Sequence, residues 1–144
     1  MPDVTHYTVL LVDDNPLLLD LITEMLSEAQ AITVFQATDG IQGLERCIEL
    51  HPDCLVIDVK MPGLDGYQLV RALRGDPTTA GIPLVMLTAM AQDHNRFAGM
   101  ASGADQYLVK PVTIDVLLHA IEVALAQSDT ERANQLQNLV EGTL

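Results

Sequence analysis

The stretch Cys54-Leu55-Val56-Ile57-Asp58, continuing through Val59-Lys60 into Met61-Pro62-Gly63-Leu64-Asp65-Gly66, decides the fold. An apolar, partly β-branched run that stops on an acid and then meets proline and glycine reads as a buried strand delivering a carboxylate to a loop. Asp65 and Gln68 stand at capping-box spacing, so a helix opens there and runs through about Arg74. Gly75-Asp76-Pro77 closes it, since glycine serves as a C-terminal cap and proline cannot continue a helix.

The same strand-and-helix unit recurs on both sides. Upstream, Thr8 to Val12 is an apolar run ending in Asp13-Asp14-Asn15-Pro16, where Asn15 suits an N-cap and Pro16 the first helical position. The helix that follows carries Leu18, Leu21, Ile22, Met25 and Leu26 at helical spacing, with Asp20, Thr23 and Glu24 on the other side. Thr33 to Ala37 forms a second strand. Asp39 and Gln42 repeat the capping-box spacing for a helix to about Leu50, stopped by His51-Pro52.

Downstream, Leu84 to Leu87 is a fourth apolar run ending at Thr88-Ala89. A helix over about 93–102 and the turn Gly103-Ala104-Asp105 lead to a fifth strand, Gln106 to Val109. That strand ends at Lys110-Pro111, and Thr113 caps a last helix from Ile114 to about Gln127. Apolar strands alternating with helices predict an α/β domain whose parallel sheet is covered on both faces. Five such units suit a flavodoxin-like, doubly wound (βα)5 fold with strand order 2-1-3-4-5. The domain is expected over residues 8–127, leaving 128–144 as a tail, a helix extension or a linker.

Composition narrows the function. The chain has 144 residues, a formal charge of −13 and no uncharged apolar stretch long enough to span a bilayer. Such acidity would repel a phosphate backbone, so no direct nucleic-acid binding is expected. Met1 to His6 lack the basic and apolar regions of a secretory signal, so the expected location is cytoplasmic. Cys47 and Cys54 have neither metal-ligand nor redox-pair spacing and read as buried, reduced thiols.

In an open sheet of this order, ligands bind beyond the carboxyl ends of the strands, where the winding reverses between strands one and three. The residues at those ends are Asp13 and Asp14, Asp58, Thr88 and Lys110. Three carboxylates brought together raise one another's pKa values unless a cation sits among them, and all-oxygen ligation favours Mg²⁺. A metal, a free carboxylate, a hydroxyl and a lysine meet the needs of phosphoryl transfer, with Asp58 as nucleophile.

These residues carry a resemblance. The acidic pair Asp13-Asp14, the run LVIDVKMPGLDG around Asp58, the segment IPLVMLTA ending in Thr88-Ala89, and GADQYLVKP with Tyr107 and Lys110 resemble the receiver domains of two-component response regulators, including the chemotaxis regulators. The likeness covers about Thr8 to Gln127. It implies that Asp58 takes a phosphoryl group from a histidine kinase or a phosphotransfer protein. It further implies that Asp13, Asp14, Asp58 and the backbone carbonyl of Lys60 hold Mg²⁺, one acid of the pair directly or through water. Thr88 and Lys110 would contact the phosphoryl oxygens, and Pro111 would follow a cis bond. Movement of Thr88 would let Tyr107 turn inward and alter the face made by the 93–102 helix, the fifth strand and the last helix, where a downstream protein binds. Lys60 and Met90 occupy positions that, in the family, influence how long the phosphorylated state lasts.

Rival readings are weaker. Phosphatases with an aspartate nucleophile use a second acid two residues on, where this chain has Lys60, and flavin modules of the same topology need a phosphate-cradling loop where Asp13-Asp14 stand. A degenerate receiver acting only as an interaction module is opposed by the presence of all five site side chains. The expected role is a signalling domain rather than an enzyme, limited to its own phosphoryl transfer and dephosphorylation. With no room after Gln127 for an output domain, it should act through protein contacts, with a homodimer left open.

Overall fold

The computed structural model describes residues 6–29, 31–61, 63–88 and 103–140, the segment 128–140 as backbone alone. The elements are β1 (Tyr7–Val12), α1 (Pro16–Ser27), β2 (Ile32–Ala37), α2 (Gly40–Leu50), β3 (Cys54–Asp58), α3 (Gly66–Gly75), β4 (Leu84–Thr88), β5 (Gln106–Val109) and α4 (Ile114–Val140). The five strands pair in parallel in the order β2-β1-β3-β4-β5, as expected. The helix expected over 93–102, with Ala89 and Met90 before it, lies outside the described residues.

Strand alternation sorts the core onto the two faces of the sheet. Leu10, Val12, Leu55, Ile57 and Met86 point to the side covered by α2 and α3, while Val9, Leu11, Val56 and Leu87 meet α1 and α4. β3 and β4 are buried at every residue, which is why their sequences run apolar without alternation. Among the described residues, no helix is long and apolar enough to cross a membrane.

The caps explain where helices begin. Asn15 Oδ1 accepts from the amides of Leu17 and Leu18, with Pro16 in the first turn, and Thr113 Oγ1 accepts from the Val116 amide. Asp65 and Gln68 form the full reciprocal capping box of α3. The box expected at Asp39 closes differently. Asp39 accepts from the Gln42 amide, but the Gln42 side chain reaches past Asp39 to the Thr38 amide at 2.7 Å.

Two further expectations are corrected. Gly75 is the last residue of α3 rather than its C-terminal cap; Asp76, in extended conformation, ends the helix. His51-Pro52 stops α2 as expected, with His51 in the left-handed region at φ 49° and its amide donating to the Cys47 carbonyl. In α1 the buried residues are Leu19 and Leu26, while Leu21 is 53% exposed and Met25 sits at the surface, so the buried face is turned from the one predicted. The sequence offers leucine over more than half the circumference of that helix, which leaves the pattern degenerate. Leu18, Leu21 and Met25 instead line a groove of about 280 Å³ beside Pro111 and Ile114.

At the end of the sheet where the strands begin, one guanidinium ties the loops together. Arg74 donates through Nε to the Gly103 carbonyl, through Nη1 to the carbonyls of Ala80 and Ile82, and through Nη2 to Asp105 at 3.1 Å. Asp105 also accepts from the amide of Leu84, the first residue of β4.

Candidate functional site

The opposite end of the sheet collects the residues singled out from the sequence. Because β1, β3 and β4 are adjacent and parallel, their last residues deliver Asp13 and Asp14, Asp58 and Thr88 to one edge. Lys110 follows β5 directly, and its amide donates to the Thr88 carbonyl, which pins the loop to the end of β4. The Lys110–Pro111 bond is cis. Asp13, Asp14, Asp58, Lys60, Thr88 and Lys110 all line one cavity of about 290 Å³.

The three aspartates each offer a carboxylate oxygen within 4.8 Å of the others. Their exposures differ: Asp13 and Asp58 are nearly buried, whereas Asp14 is open to solvent. Asp13 is the most committed, accepting from the Asn15 amide at 2.9 Å through Oδ1 and from Lys110 Nζ at 3.2 Å through Oδ2. Lys110 Nζ also lies 3.8 Å from Asp58 Oδ1. Thr88 is fully buried at the floor of the cavity.

Burial pushes the Asp58 carboxyl up to about 6, and the charges of Asp13 and Asp14 push the same way; Lys110 and a hydrogen bond from the backbone of Lys60 pull against them. The donor set fits a hard divalent cation: oxygen atoms only, close together, two largely withdrawn from water, one open.

Tyr107 stands in β5 opposite Met86, with its hydroxyl 3.4 Å from that of Tyr67 in α3. Nothing in the local pattern points to Tyr67, whose partner is forty positions away. The Asn15 amide on Asp13 was accessible, since Asx turns of two-residue span are a habit of such sequences. The Lys60 backbone contact to Asp58 was not, because a main-chain donor leaves no trace in residue type.

Residues 9–122 match the family model of the response regulator receiver domain. The chain belongs to that family. It is 38% identical over 121 residues to the DNA-binding dual master transcriptional regulator RpaA of a Synechocystis species, covering 84% of this chain and 50% of that protein. It is 36% identical over 118 residues to protein PilH of Pseudomonas aeruginosa, covering 82% of this chain and 97% of PilH. Among solved structures, the Vibrio cholerae chemotaxis protein CheY4 matches with a TM-score of 0.76 and 30% identity over 82% of this chain and 98% of that one. The chain spans about half the length of several curated relatives it matches, RpaA among them, and nearly all of PilH. Receiver domains are signalling domains of two-component systems, and their family fold is the five-stranded arrangement described above.

Proposed function

We propose that Asp58 is the phosphoacceptor of this receiver domain and that its phosphorylation requires Mg²⁺. The observation that carries the reading is the convergence of three carboxylates, the Thr88 hydroxyl and the Lys110 ammonium on one cavity around Asp58. Asp13, Asp14 and Asp58, with the Lys60 carbonyl, would hold the ion, which supplies positive charge to the phosphoryl oxygens as they approach the acids.

The remaining work falls to the chain. The Asp58 carboxylate attacks phosphorus, the bond from phosphorus to the donor breaks, and an acyl phosphate forms on Asp58. Lys110 donates to one phosphoryl oxygen and Thr88, as it moves toward the phosphate, to another, so the charge that develops meets donors of the chain. A phosphohistidine on a kinase or phosphotransfer protein is the proposed donor. The surface offered by β5 and α4 is the proposed contact for a downstream protein, altered when Thr88 and Tyr107 shift.

Intact mass spectrometry after incubation with acetyl phosphate tests the assignment. Wild type in Mg²⁺ should gain one phosphoryl group, whereas Asp58→Asn, or wild type in a chelator, should gain none. Equal labelling of Asp58→Asn would place the acceptor elsewhere, and unlabelled wild type would leave a phosphorylation-independent interaction module.

A further inference from the structure

Tyr67, in the first turn of α3, and Tyr107, in β5, meet hydroxyl to hydroxyl at 3.4 Å across the face of the sheet that α2 and α3 cover. Both rings are half-buried and pack against the same core cluster. Tyr107 pairs with Met86 and Val109 with Thr88, so the two-residue period of the strands places Tyr107 one step below Thr88 on that face. The ring of Tyr107 packs on that core with its hydroxyl at Tyr67, so the inward orientation, expected to follow a movement of Thr88, is the one the structure describes. Burial and the bond to Tyr107 raise the Tyr67 pKa, so the pair stays neutral, one hydroxyl donating and the other accepting.

We infer that Tyr67 is a positioning residue that docks Tyr107 in its inward orientation and so sets how readily β5 follows a change at Asp58. This rests on the phosphoacceptor reading above. A contact of this length is at the weak end for hydroxyls, so its loss should lower the equilibrium constant for the inward orientation about two- to fivefold. Any ligand at Asp58 that favours the inward orientation must then bind more weakly, by up to the same factor, because it has to restore a less populated state. Phenylalanine at position 67 keeps the ring and its packing and removes only the docking hydroxyl.

The chain has three tyrosines and no tryptophan, so NMR of the full chain carrying isotope-labelled tyrosine Cζ gives one signal per residue, with Tyr7 as an internal reference. The probe is beryllium fluoride with Mg²⁺, a phosphoryl mimic whose occupancy is read in the same sample by fluorine NMR. In Tyr67→Phe the resting Tyr107 signal should move away from its probe-saturated position, and half-saturation should need more probe, by a factor of up to about two to five. Tyr107→Phe, which removes the same bond from the other side, should raise half-saturation equally. Equal half-saturation in wild type and Tyr67→Phe, with the Tyr107 signal unmoved, overturns the role of Tyr67 and leaves the phosphoacceptor reading standing. A probe that fails to occupy wild type sinks the phosphoacceptor reading, and the coupling of Tyr67 to Asp58 with it.

Discussion

Lys110 Nζ lies closer to Asp13 than to Asp58, at 3.2 Å against 3.8 Å, so the lysine leans on an acid of the β1 pair. In this position it serves as a resident counter-charge for the whole cluster. Lys110→Gln should therefore bind Mg²⁺ more tightly, by about three- to tenfold, since removing a competing cation is worth on the order of 1 kcal/mol here. Phosphoryl uptake should fall at the same time, because the donor to the phosphoryl oxygen is gone. Titration calorimetry and the acetyl phosphate assay separate the two effects, and weaker Mg²⁺ binding in the variant would contradict the account.

The raised Asp58 carboxyl gives a signed pH dependence. Its folded value, about 6, exceeds the ordinary 3.8, so the native state binds the extra proton within that window and metal-free stability declines as pH rises through it. Above the window, Asp58→Asn should be more stable than metal-free wild type by up to about 3 kcal/mol. Urea denaturation in a chelator at several pH values tests this: the gap should open between 3.8 and about 6 and shrink when Mg²⁺ is added. A gap independent of pH would assign the effect to packing instead.

Gly66 opens α3 where the helix presses on the backbone just after β3. A Cβ there would stand 2.5 Å from the Asp58 carbonyl oxygen and 2.7 Å from Val59 Cα, and neither can move without displacing Asp58. Gly66→Ala should cost about 3 kcal/mol, the upper range for overpacking, and slow phosphorylation beyond what the stability loss explains. A variant with wild-type melting and wild-type labelling would show that the approach is looser than described.

Arg74→Ala would strip donors from three carbonyls and leave Asp105 without its guanidinium, at a cost of about 2–4 kcal/mol. Arg74→Lys should recover little, since an ammonium cannot reproduce the planar fork. Both proteins, where folded, should accept the phosphoryl group at the wild-type rate. Denaturant midpoints and labelling rates, measured together, check the separation.

Cys47 and Cys54 are fully buried, and burial raises both thiols, Cys47 to about 11. Neither should react with a thiol reagent in the native protein near neutral pH, and both should react once it unfolds. Rapid labelling of either in the native state would signal local opening of α2 or β3.

Sequence made the strands, their order and the convergence of Asp13, Asp14, Asp58, Thr88 and Lys110 legible because these follow from local pattern and from topology. The shortness of the run Cys54 to Asp58 and the proline and glycine that bound it favour a buried strand over a helix segment, and parallel order then brings its last residue beside those of β1 and β4. What escaped depended on choices among near-equal neighbours. Leucine over more than half the circumference of α1 hid which side was buried, and Gln42 had two adjacent amides within reach. Contacts between distant positions, such as Tyr67 with Tyr107 or Arg74 with Gly103, carry no local signature at all.

The bonds of Arg74 also give the molecule two unlike storeys. Where the strands start, one side chain nails the chain on either side of β4 to a common floor, fixing how β4 and β5 stand. Where the strands stop, the aspartates, Thr88 and Lys110 are held by their own strands and caps. Residues along that upper rim can therefore be exchanged to suit a different correspondent without the floor having to be relaid.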